Sequence, residues 1–388
     1  MLIDFNRIVR NGLSMIKFFY LKTATFDPNF NVTYALRQNN YLRMKQIFFP
    51  AEWHRQSAVQ LTWPHDQTDW ADMMDEVLPC FVSIAKKILE HERLIVVCQN
   101  PEDVRKQLGN VPEEKLSLYK LPLDDTWARD HGAISVFVDG KPCIYDFTFN
   151  GWGKKFGAEN DNRLSESLFN LHAFNPEVRY VRKQPFVLEG GSIESDGEGS
   201  LLTTANCFSA PNRNQPMAES EIDAYLKETF GVSQVLWLRN GYLAGDDTDG
   251  HIDMLARFCD AKTIVYVTAL DGEDEHTPAL REMEKELKAF RTLSGEPYRL
   301  IQLPMADPVY FEEERLPASY ANFLILNGAV LMPYYNSPKD EIARKQLQLA
   351  FPDRKITGIN SLPLIRQHGS LHCLTMQYPE SFISTGHK

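Results

Sequence analysis

A recurring order of strand, helix and strand is the feature that most constrains how this chain can fold. The pattern predicts three such units. Their strand, helix and strand segments are 57–63, 70–90 and 94–98 followed by a further strand at 116–123; then 263–268, 281–293 and 298–303; and then 323–335, 339–351 and 355–359. The units share no visible sequence identity, and no low-complexity linker separates them. The chain is therefore predicted to form one compact α/β body.

The regular pattern begins near residue 44 of the 388 residues. We therefore predict a single domain over 44–388 and interpret 1–43 as an extension or an upstream start. The first 21 residues lack the uninterrupted apolar core and cleavage site of a secretory signal. Since no segment approaches the roughly 20 apolar residues of a membrane span, the expected location is cytoplasmic.

Charge and cysteine content narrow the function classes. The net charge of −11 disfavours nucleic acid as a partner and suits a small cationic ligand. Six cysteines lie far apart, without a CxxC pair or a disulfide-scaffold spacing. Reduced thiols in the cytosol are expected, no membrane partner is predicted, and a homo-oligomer is left open.

Reactive side chains follow the predicted strands, one or two at a time. They are Asp130 after 116–123, Glu189 after 185–188, His251 and Asp253 after 234–238, and Cys373 within the last β-like run. Because a rigid sheet fixes the loops at its strand ends, these side chains are expected to converge on a shared centre.

Cys373 is the candidate nucleophile, although a free cysteine between two leucines is ordinarily a buried core residue. The preceding Gly369 and Ser370 leave room for a ligand, which favours a functional thiol. Asp130 could likewise be an exposed salt-bridge partner of Arg129, but the adjacent Trp127 makes a solvated loop less favourable.

The acidic stretch 245–253 raises the question of a metal. It lacks the glycine and terminal glutamate of an EF-hand loop. His251 and Asp253 alternate about Ile252, so on a strand both would point to one face. No third His or Cys lies nearby at ligand spacing, and the chain has no GxGxxG or GxxxxGKS motif around Glu189 or elsewhere. We therefore predict no metal and no cofactor.

One thiol, one histidine and three carboxylates fit attack on a cationic carbon. A guanidinium is planar and always charged, and its N–H groups match carboxylates in pairs. Its carbon is a poor electrophile and needs a strong nucleophile such as a thiolate.

Four motifs, at 127–130, 189–192, 247–253 and 371–375, resemble those of the agmatine deiminase and bacterial-type peptidylarginine deiminase family in order and spacing. The stretches 49–53, 62–65 and 149–153 are similar to that family too, so the resemblance covers roughly 46–380. It implies a five-bladed, pseudosymmetric α/β propeller, the pentein fold.

The resemblance also implies roles for the residues. Cys373 would form a covalent amidino-cysteine intermediate, while Asp130 and Asp253 would bind the guanidinium nitrogens. His251 would act as general acid and then as base, and Glu189 would fix both the substrate fork and the orientation of His251. Further substrate contacts are expected at these positions: Trp127, Asp247 and Gly369.

The substrate is less sharply defined, because the turn 367–370 before Cys373 is Gln-His-Gly-Ser where the family typically has a run of glycines. The leading hypothesis is hydrolysis of agmatine to N-carbamoylputrescine and ammonia. Deimination of free or peptide-bound arginine is the enzymatic alternative, and a non-catalytic propeller that binds a protein is the alternative from another class.

Overall fold

The computed structural model describes residues 46–269 and 274–383. These residues belong to one compact unit that begins at Gln46. The extension predicted for 1–43 lies outside the described residues. Within the described ranges, no helix combines the length and the apolar character needed to cross a membrane.

The described residues form nineteen strands. In chain order they are β1 Ile47–Phe48, β2 Gln56–Thr62, β3 Arg93–Cys98, β4 Leu116–Lys120, β5 Ile134–Val138, β6 Lys141–Thr148, β7 Arg179–Val187, β8 Ile193–Ser195, β9 Ser200–Thr204, β10 Gln234–Leu238, β11 Ala256–Asp260, β12 Thr263–Thr268, β13 Arg299–Pro304, β14 Tyr310–Phe311, β15 Glu314–Arg315, β16 Leu324–Leu326, β17 Ala329–Tyr334, β18 Lys355–Asn360 and β19 Thr375–Pro379.

Ten α-helices accompany the strands in the same part of the chain. They are α1 Met74–His91, α2 Pro101–Leu108, α3 Ala128–His131, α4 Gly151–Lys154, α5 Leu164–Asn170, α6 Ala205–Ser209, α7 Glu219–Phe230, α8 Thr277–Ala289, α9 Lys339–Ala350 and α10 Leu362–Ile365. Short 3₁₀ turns lie at Ala71–Met73, Glu113–Lys115, Asp161–Arg163, Gly190–Ser192 and Ile252–Met254.

Five sheets repeat one plan. Their strand orders are β19-β2-β3-β4, β1-β5-β6-β7, β8-β9-β10, β11-β12-β13 and β16-β17-β18, and β14 and β15 form a separate hairpin. Each sheet contains an antiparallel pair whose second strand has a parallel neighbour on its other side. One or more helices connect the two parallel strands, since a parallel connection needs a crossover. The predicted strand–helix–strand unit is thus present five times rather than three.

The pattern located most elements to within a few residues. Strand 263–268 is observed as predicted, and 57–63 and 94–98 each begin one residue earlier. The prediction of one strand over 323–335 was wrong, because Asn327-Gly328 turns the chain between the antiparallel strands β16 and β17. Gly328 has a φ of +78°, a conformation that glycine adopts without strain and that suits a tight hairpin.

Burial explains why these segments become strands and helices. All six residues of β12 are buried, as expected for a strand covered on both faces. Helix α1 instead buries one stripe, in which Val77, Phe81, Ile84 and Ile88 are each 0% exposed. Each such side chain contributes about 1.5–3 kcal/mol on burial. The loops that carry the predicted reactive residues are therefore attached to firmly packed elements.

Candidate active site

The five side chains predicted for catalysis meet at one buried centre. Asp130 lies in α3, Glu189 directly precedes the turn Gly190–Ser192, and Cys373 lies two residues before β19. His251 and Asp253 lie at the turn before β11. All five are 5% exposed or less, and their convergence agrees with the expectation from the strand ends.

Two local predictions at this centre were wrong. His251 and Asp253 do not alternate on a strand, because Ile252–Met254 is a 3₁₀ turn that begins after Gly250. Gly250 has a φ of +91°, which breaks any extended run through 245–253. Cys373 likewise lies in a turn rather than within the last strand. The side chains of His251, Asp253 and Cys373 nevertheless reach the centre, so loops rather than one face of a strand position them.

The backbone at Gly191 lies very close to three of the catalytic side chains. A Cβ atom at this position would lie 2.6 Å from His251 Nδ1, 2.9 Å from Asp130 Oδ1 and 3.2 Å from Asp253 Oδ2. The Gly191 amide donates a hydrogen bond to Asp130 Oδ1 at 3.0 Å. Glycine is thus required here so that the backbone can enter the group of catalytic side chains.

His251 lies between two carboxylates without a close contact to either. Its Nδ1 is 3.6 Å from Asp130 Oδ1 and its Nε2 is 3.6 Å from Glu189 Oε2. Neither ring nitrogen has a hydrogen-bond partner among the described residues. Burial lowers the pKa of His251, but Asp130, Glu189 and Cys207 outweigh it and hold the pKa well above its ordinary value. The imidazole is therefore poised to carry a proton at neutral pH.

Cys373 is protonated while the site is empty of a cation. Burial and the carboxylates Asp253 and Asp130 raise the pKa of its thiol well above the ordinary value. Its Sγ lies 3.2 Å from Asn322 Nδ2 and 3.8 Å from Asp253 Oδ2. A cation placed among these carboxylates would reverse the electrostatic effect and favour the thiolate.

Asp130 and Glu189 differ in how their charge is compensated. Burial, Asp253 and Glu189 raise the pKa of Asp130 to about 6, although His251 opposes the rise. Burial also acts against the charge of Glu189, but His251 and Arg213 lower its pKa below the ordinary value. Arg213 Nε donates to Glu189 Oε1 at 2.9 Å. Glu189 is thus held as an anion, whereas Asp130 lacks a full positive partner.

A cavity of about 360 Å³ leads to the nucleophile. Its wall consists of Asp69, Asp125, Trp127, Asp130, Trp152, Phe156, Asp247, Thr248, Gln367, His368, Gly369 and Cys373. Four aspartates contribute to this wall, and among the described residues neither Lys nor Arg lines it. Three of the predicted substrate residues outside the catalytic group, Trp127, Asp247 and Gly369, are part of it. Asp253, also predicted to bind substrate, is not part of this wall.

Gly369 limits the width of that cavity. A Cβ atom on it would lie 2.2 Å from the Trp127 ring, so any side chain would displace the tryptophan. The neighbouring Gln367 and His368 also line the cavity. The unusual sequence before Cys373 thus forms part of the ligand-facing wall.

Comparison with known proteins decides the family. The family of Porphyromonas-type peptidyl-arginine deiminases matches residues 48–379. The chain belongs to this family. Its α/β architecture is shared with solved family structures. A crystal structure from Porphyromonas gingivalis, described as a "putative arginine deiminase", is 56% identical, with a TM-score of 0.84 over 87% of this chain and 100% of that one.

Other relatives carry the name agmatine deiminase. The C. jejuni agmatine deiminase, solved with substrate bound in a cysteine-to-serine variant, is 38% identical, with a TM-score of 0.81 over 87% of this chain and 98% of that one. The agmatine deiminase of Ectopseudomonas mendocina is 30% identical over 362 residues, which cover 87% of this chain and 96% of the relative.

Several residues of this site were not predicted from the sequence. Trp152 Nε1 donates to Asp130 Oδ2 at 3.0 Å, and Asn322 contacts the nucleophile. Trp152 lies in a stretch that resembles the family, which was the available signal, but Asn322 and Arg213 lie in no recognised motif. Spatial neighbours that are distant in sequence leave no local pattern.

The prediction of no metal considered ligands close to His251 in sequence, and the fold brings a further potential ligand to it from a distant segment. Cys207 lies 44 positions before His251, yet its Sγ is 3.6 Å from Glu189 Oε2. Glu189, Cys207 and His251 form one of three groups in the described residues that place three potential ligand atoms within 4.8 Å of one another. The other two are Glu52 with Glu194 and His372, and Asp274 with Glu275 and His276.

Those other two groups already contain arginines. Arg257 makes ion pairs with both Glu52 and Glu194, and Arg315 contacts Asp274 at 2.8 Å and Glu275 at 2.7 Å. In each of these two groups one guanidinium pairs with both carboxylates and supplies the positive charge that a metal would bring, whereas in the first group Arg213 pairs with Glu189.

We call Glu52, Glu194, Arg257 and His372 the buried ionic cluster; each is 7% exposed or less. His372 Nε2 is 2.9 Å from Glu52 Oε2, and its Nδ1 is 2.8 Å from Asp253 Oδ2. Arg257 also donates to the Phe323 carbonyl at 2.8 Å. His372 thereby connects the ionic cluster to a carboxylate beside the nucleophile.

Proposed function

We propose that the chain is an agmatine deiminase, which hydrolyses agmatine to N-carbamoylputrescine and ammonia through an amidino-cysteine intermediate. The observation that carries the proposal is the acidic cavity of about 360 Å³ that ends at Cys373. Agmatine is a dication with one charge at each end of a flexible chain. A wall with four aspartates and, within residues 46–269 and 274–383, no Lys or Arg suits both charges.

The guanidinium end is assigned to the catalytic centre. Asp130 is already oriented by the Gly191 amide and by the Trp152 indole, both at 3.0 Å. Asp253 keeps its Oδ1 without a hydrogen-bond partner among the described residues. Two carboxylates that lack full compensation match the paired N–H groups of a guanidinium.

The first half of the reaction forms a carbon–sulfur bond. When the cation binds, the Cys373 thiol releases its proton to solvent, and the resulting thiolate adds its electron pair to the guanidinium carbon. His251 then donates its proton to the departing nitrogen, the carbon–nitrogen bond breaks, and ammonia leaves. The raised pKa of His251 supports its role as this acid. The product of this half is the amidino-cysteine.

The second half restores the thiol. His251, now neutral, accepts a proton from water as the water oxygen attacks the amidino carbon. The carbon–sulfur bond then breaks, its electron pair returns to Cys373, the proton of the added hydroxyl group passes to that sulfur, and the ureido product leaves. Glu189, fixed by Arg213 at 2.9 Å, lies 3.6 Å from His251 Nε2 and favours the protonated imidazole.

The outer part of the cavity supports agmatine over free arginine. Burial and the neighbouring Asp69 raise the pKa of Asp125 to about 7, and the pKa of Asp247 is raised by burial and by Asp246. A free ammonium would relieve this crowding of acids, whereas the carboxylate of arginine would add a further negative charge. Asp247, Asp125 and Asp69 are therefore the proposed surroundings of the agmatine amine.

A comparison of substrates tests the proposal. The protein is incubated with agmatine, free arginine and an arginyl peptide, and ammonia and ureido product are measured to give kcat/KM. We expect agmatine to exceed arginine by about 100-fold or more, equivalent to roughly 3 kcal/mol. Preference for either arginine substrate would favour the alternative suggested by the name of the P. gingivalis relative. No product from any guanidine would refute the deiminase assignment.

A second measurement tests the carboxylate assignment. Asp253→Asn keeps the size of the side chain but removes its charge, so we expect kcat/KM for agmatine to fall by about 100-fold. Asp260→Asn, on the exposed end of β11, is the matched control and should be unaffected. Unchanged kinetics in Asp253→Asn would show that this carboxylate is misassigned.

We also propose that the five sheets are the blades of a five-bladed, pseudosymmetric α/β propeller. The shared plan of an antiparallel pair followed by a parallel crossover supports this arrangement. The catalytic residues come from loops of several sheets, which would place them near a common axis. A crystal structure without a fivefold pseudosymmetric arrangement of the sheets would contradict it.

A reducing compartment such as the cytoplasm is proposed for the protein. All six cysteines are free and buried, and the proposed nucleophile is itself a thiol. Fractionation of the cells that make the protein, with activity measured in each fraction, tests this location.

A further inference from the structure

Cys207 places a second thiol beside the catalytic histidine and glutamate. It lies in α6, directly after β9, and is 1% exposed. Its Sγ is 3.6 Å from Glu189 Oε2, the same oxygen that lies 3.6 Å from His251 Nε2. The proposed reaction requires Cys373 but gives Cys207 no task.

Cys207 Sγ donates to Glu189 Oε2 at 3.6 Å, whereas His251 Nε2 lies at the same distance without a hydrogen bond, and the spacing of the three atoms suits a shared metal ion. A separation of 3.6 Å is too long for a good N–H···O bond. Tetrahedral zinc with sulfur at about 2.3 Å and nitrogen or oxygen at about 2.0–2.2 Å places its ligand atoms about 3.3–3.6 Å apart. All three atoms here lie within 4.8 Å of one another, so small side-chain movements complete the geometry.

The histidine supplies an independent indication of a ligand. His251 is 0% exposed, and its Nε2 has no hydrogen-bond partner among the described residues. A buried polar atom without a partner is costly, and such atoms in native proteins commonly face an ion, a water or a substrate. The Nε2 atom faces Glu189 Oε2, which Cys207 also contacts.

We propose that Glu189, Cys207 and His251 form a binding site for a thiophilic divalent cation such as Zn²⁺, and that the bound ion inhibits the enzyme. Thiolate, imidazole and carboxylate are the ligand types that zinc prefers. The two anionic ligands balance the charge of the ion, and binding releases the protons of Cys207 and His251 to solvent. Inhibition follows because the ion occupies the two groups needed for proton transfer.

The ion would reach the site through the substrate cavity. His251 contacts Asp130 at 3.6 Å and its amide donates to Thr248 Oγ1 at 3.1 Å, and both of these residues line the cavity. Arg213 Nε lies 2.9 Å from Glu189 Oε1 and 3.4 Å from Oε2, and Oε2 also faces the other two ligands at 3.6 Å. Zinc and substrate therefore use one route and exclude each other.

A spectroscopic test requires no catalytic activity. Co²⁺ is titrated into the full chain, and the near-ultraviolet thiolate-to-cobalt charge-transfer band is recorded. We expect one equivalent of Co²⁺ to produce this band in the Cys373→Ser variant. The band should be absent in the Cys207→Ser variant. Cys259→Ser is the matched buried control and should retain it. A band that depends on Cys373, or no band in any variant, would overturn the proposed site.

The kinetic test rests on the proposed function. Zn²⁺ should raise the apparent KM for agmatine, and a chelator should restore it. Because the ratio of activity with and without Zn²⁺ is compared within each protein, a change in basal activity in Cys207→Ser cancels. We expect that variant to need at least about ten times more Zn²⁺ for half-inhibition; equal sensitivity refutes inhibition through this site. A protein that binds Co²⁺ but hydrolyses no guanidine would refute the function and leave the metal site standing.

Discussion

The catalytic centre and the buried ionic cluster are neighbours with similar residue composition, but they differ in how closely their charged groups are paired. In the ionic cluster, His372 makes contacts of 2.9 Å to Glu52 and 2.8 Å to Asp253. In the catalytic centre, His251 stays 3.6 Å from each of its two carboxylates. The first region has the close ion pairs of a fixed support, whereas in the second the protonated His251 lies at a longer distance from both of its carboxylates. The difference separates residues that hold the site from residues that act in it.

The largest expected effect is on turnover through the catalytic centre. Cys373→Ser replaces the thiolate with a poor nucleophile, so kcat for agmatine should fall by at least about 10⁴-fold. Agmatine binding, measured by calorimetry, should persist because the carboxylates remain. Substantial turnover in this variant would mean that the nucleophile lies elsewhere.

The next largest effect is expected on stability through the ionic cluster. Arg257→Met leaves Glu52 and Glu194 buried without their main cation, which should cost about 3–5 kcal/mol in the free energy of unfolding. Arg239→Met breaks an exposed ion pair of 2.7 Å with Glu219 and should cost less than about 1 kcal/mol. Denaturant unfolding compares the two. Equal losses would contradict the supporting role of the ionic cluster.

His372 connects the two regions, and two substitutions separate its contacts. The amide of Asn reaches the position of Nδ1 and can keep the bond to Asp253, whereas that of Gln reaches the position of Nε2 and keeps the bond to Glu52. We expect His372→Gln to lower kcat by about 10–100-fold and His372→Asn to lower it less, with little change in KM. A reversed order would show that the contact with Glu52 matters more.

The smallest predicted effect is the pH dependence of stability. The pKa of Asp130 is raised from 3.8 to about 6, so between these values the native state binds a proton that the unfolded chain has released. The free energy of unfolding should therefore fall, by about 1–3 kcal/mol, as pH rises through this window. Asp130→Asn should remove that fall in thermal unfolding curves. The raised pKa of His251 acts in a higher window, because its stabilisation is lost only as pH rises through that value.

Sequence patterns predicted the reactive groups better than the supporting ones. Asp130 and Cys373 lie in motifs at strand ends, which made their convergence predictable. Arg213, Cys207 and Asn322 approach the same centre from segments without a motif, so only the folded chain reveals them. Pairing across tens of residues is set by tertiary packing, which local periodicity does not encode.

Sequence periodicity also failed to predict single turns of the fold. The apolar run 323–335 looked like one strand because both halves are buried, and the Asn327-Gly328 hairpin signal within it was overlooked. The stretch around Ile252 looked extended because polar and apolar residues alternate there. The positive φ of Gly250 and the following 3₁₀ turn overrode that pattern. Glycine positions therefore carried more information than hydrophobic alternation in these two places.

The pairing of β19 with β2 has a consequence for synthesis of the protein. Strand β2 begins at Gln56, but the partner that covers its edge begins at Thr375, directly after the nucleophile segment. A ribosome makes Asp130, Glu189, His251 and Asp253 long before it makes Cys373 and β19. A chain that has not yet reached Cys373 and β19 thus exposes an unpaired strand edge and carries no attacking sulfur, so catalytic competence and closure of that sheet arise together once this segment is made.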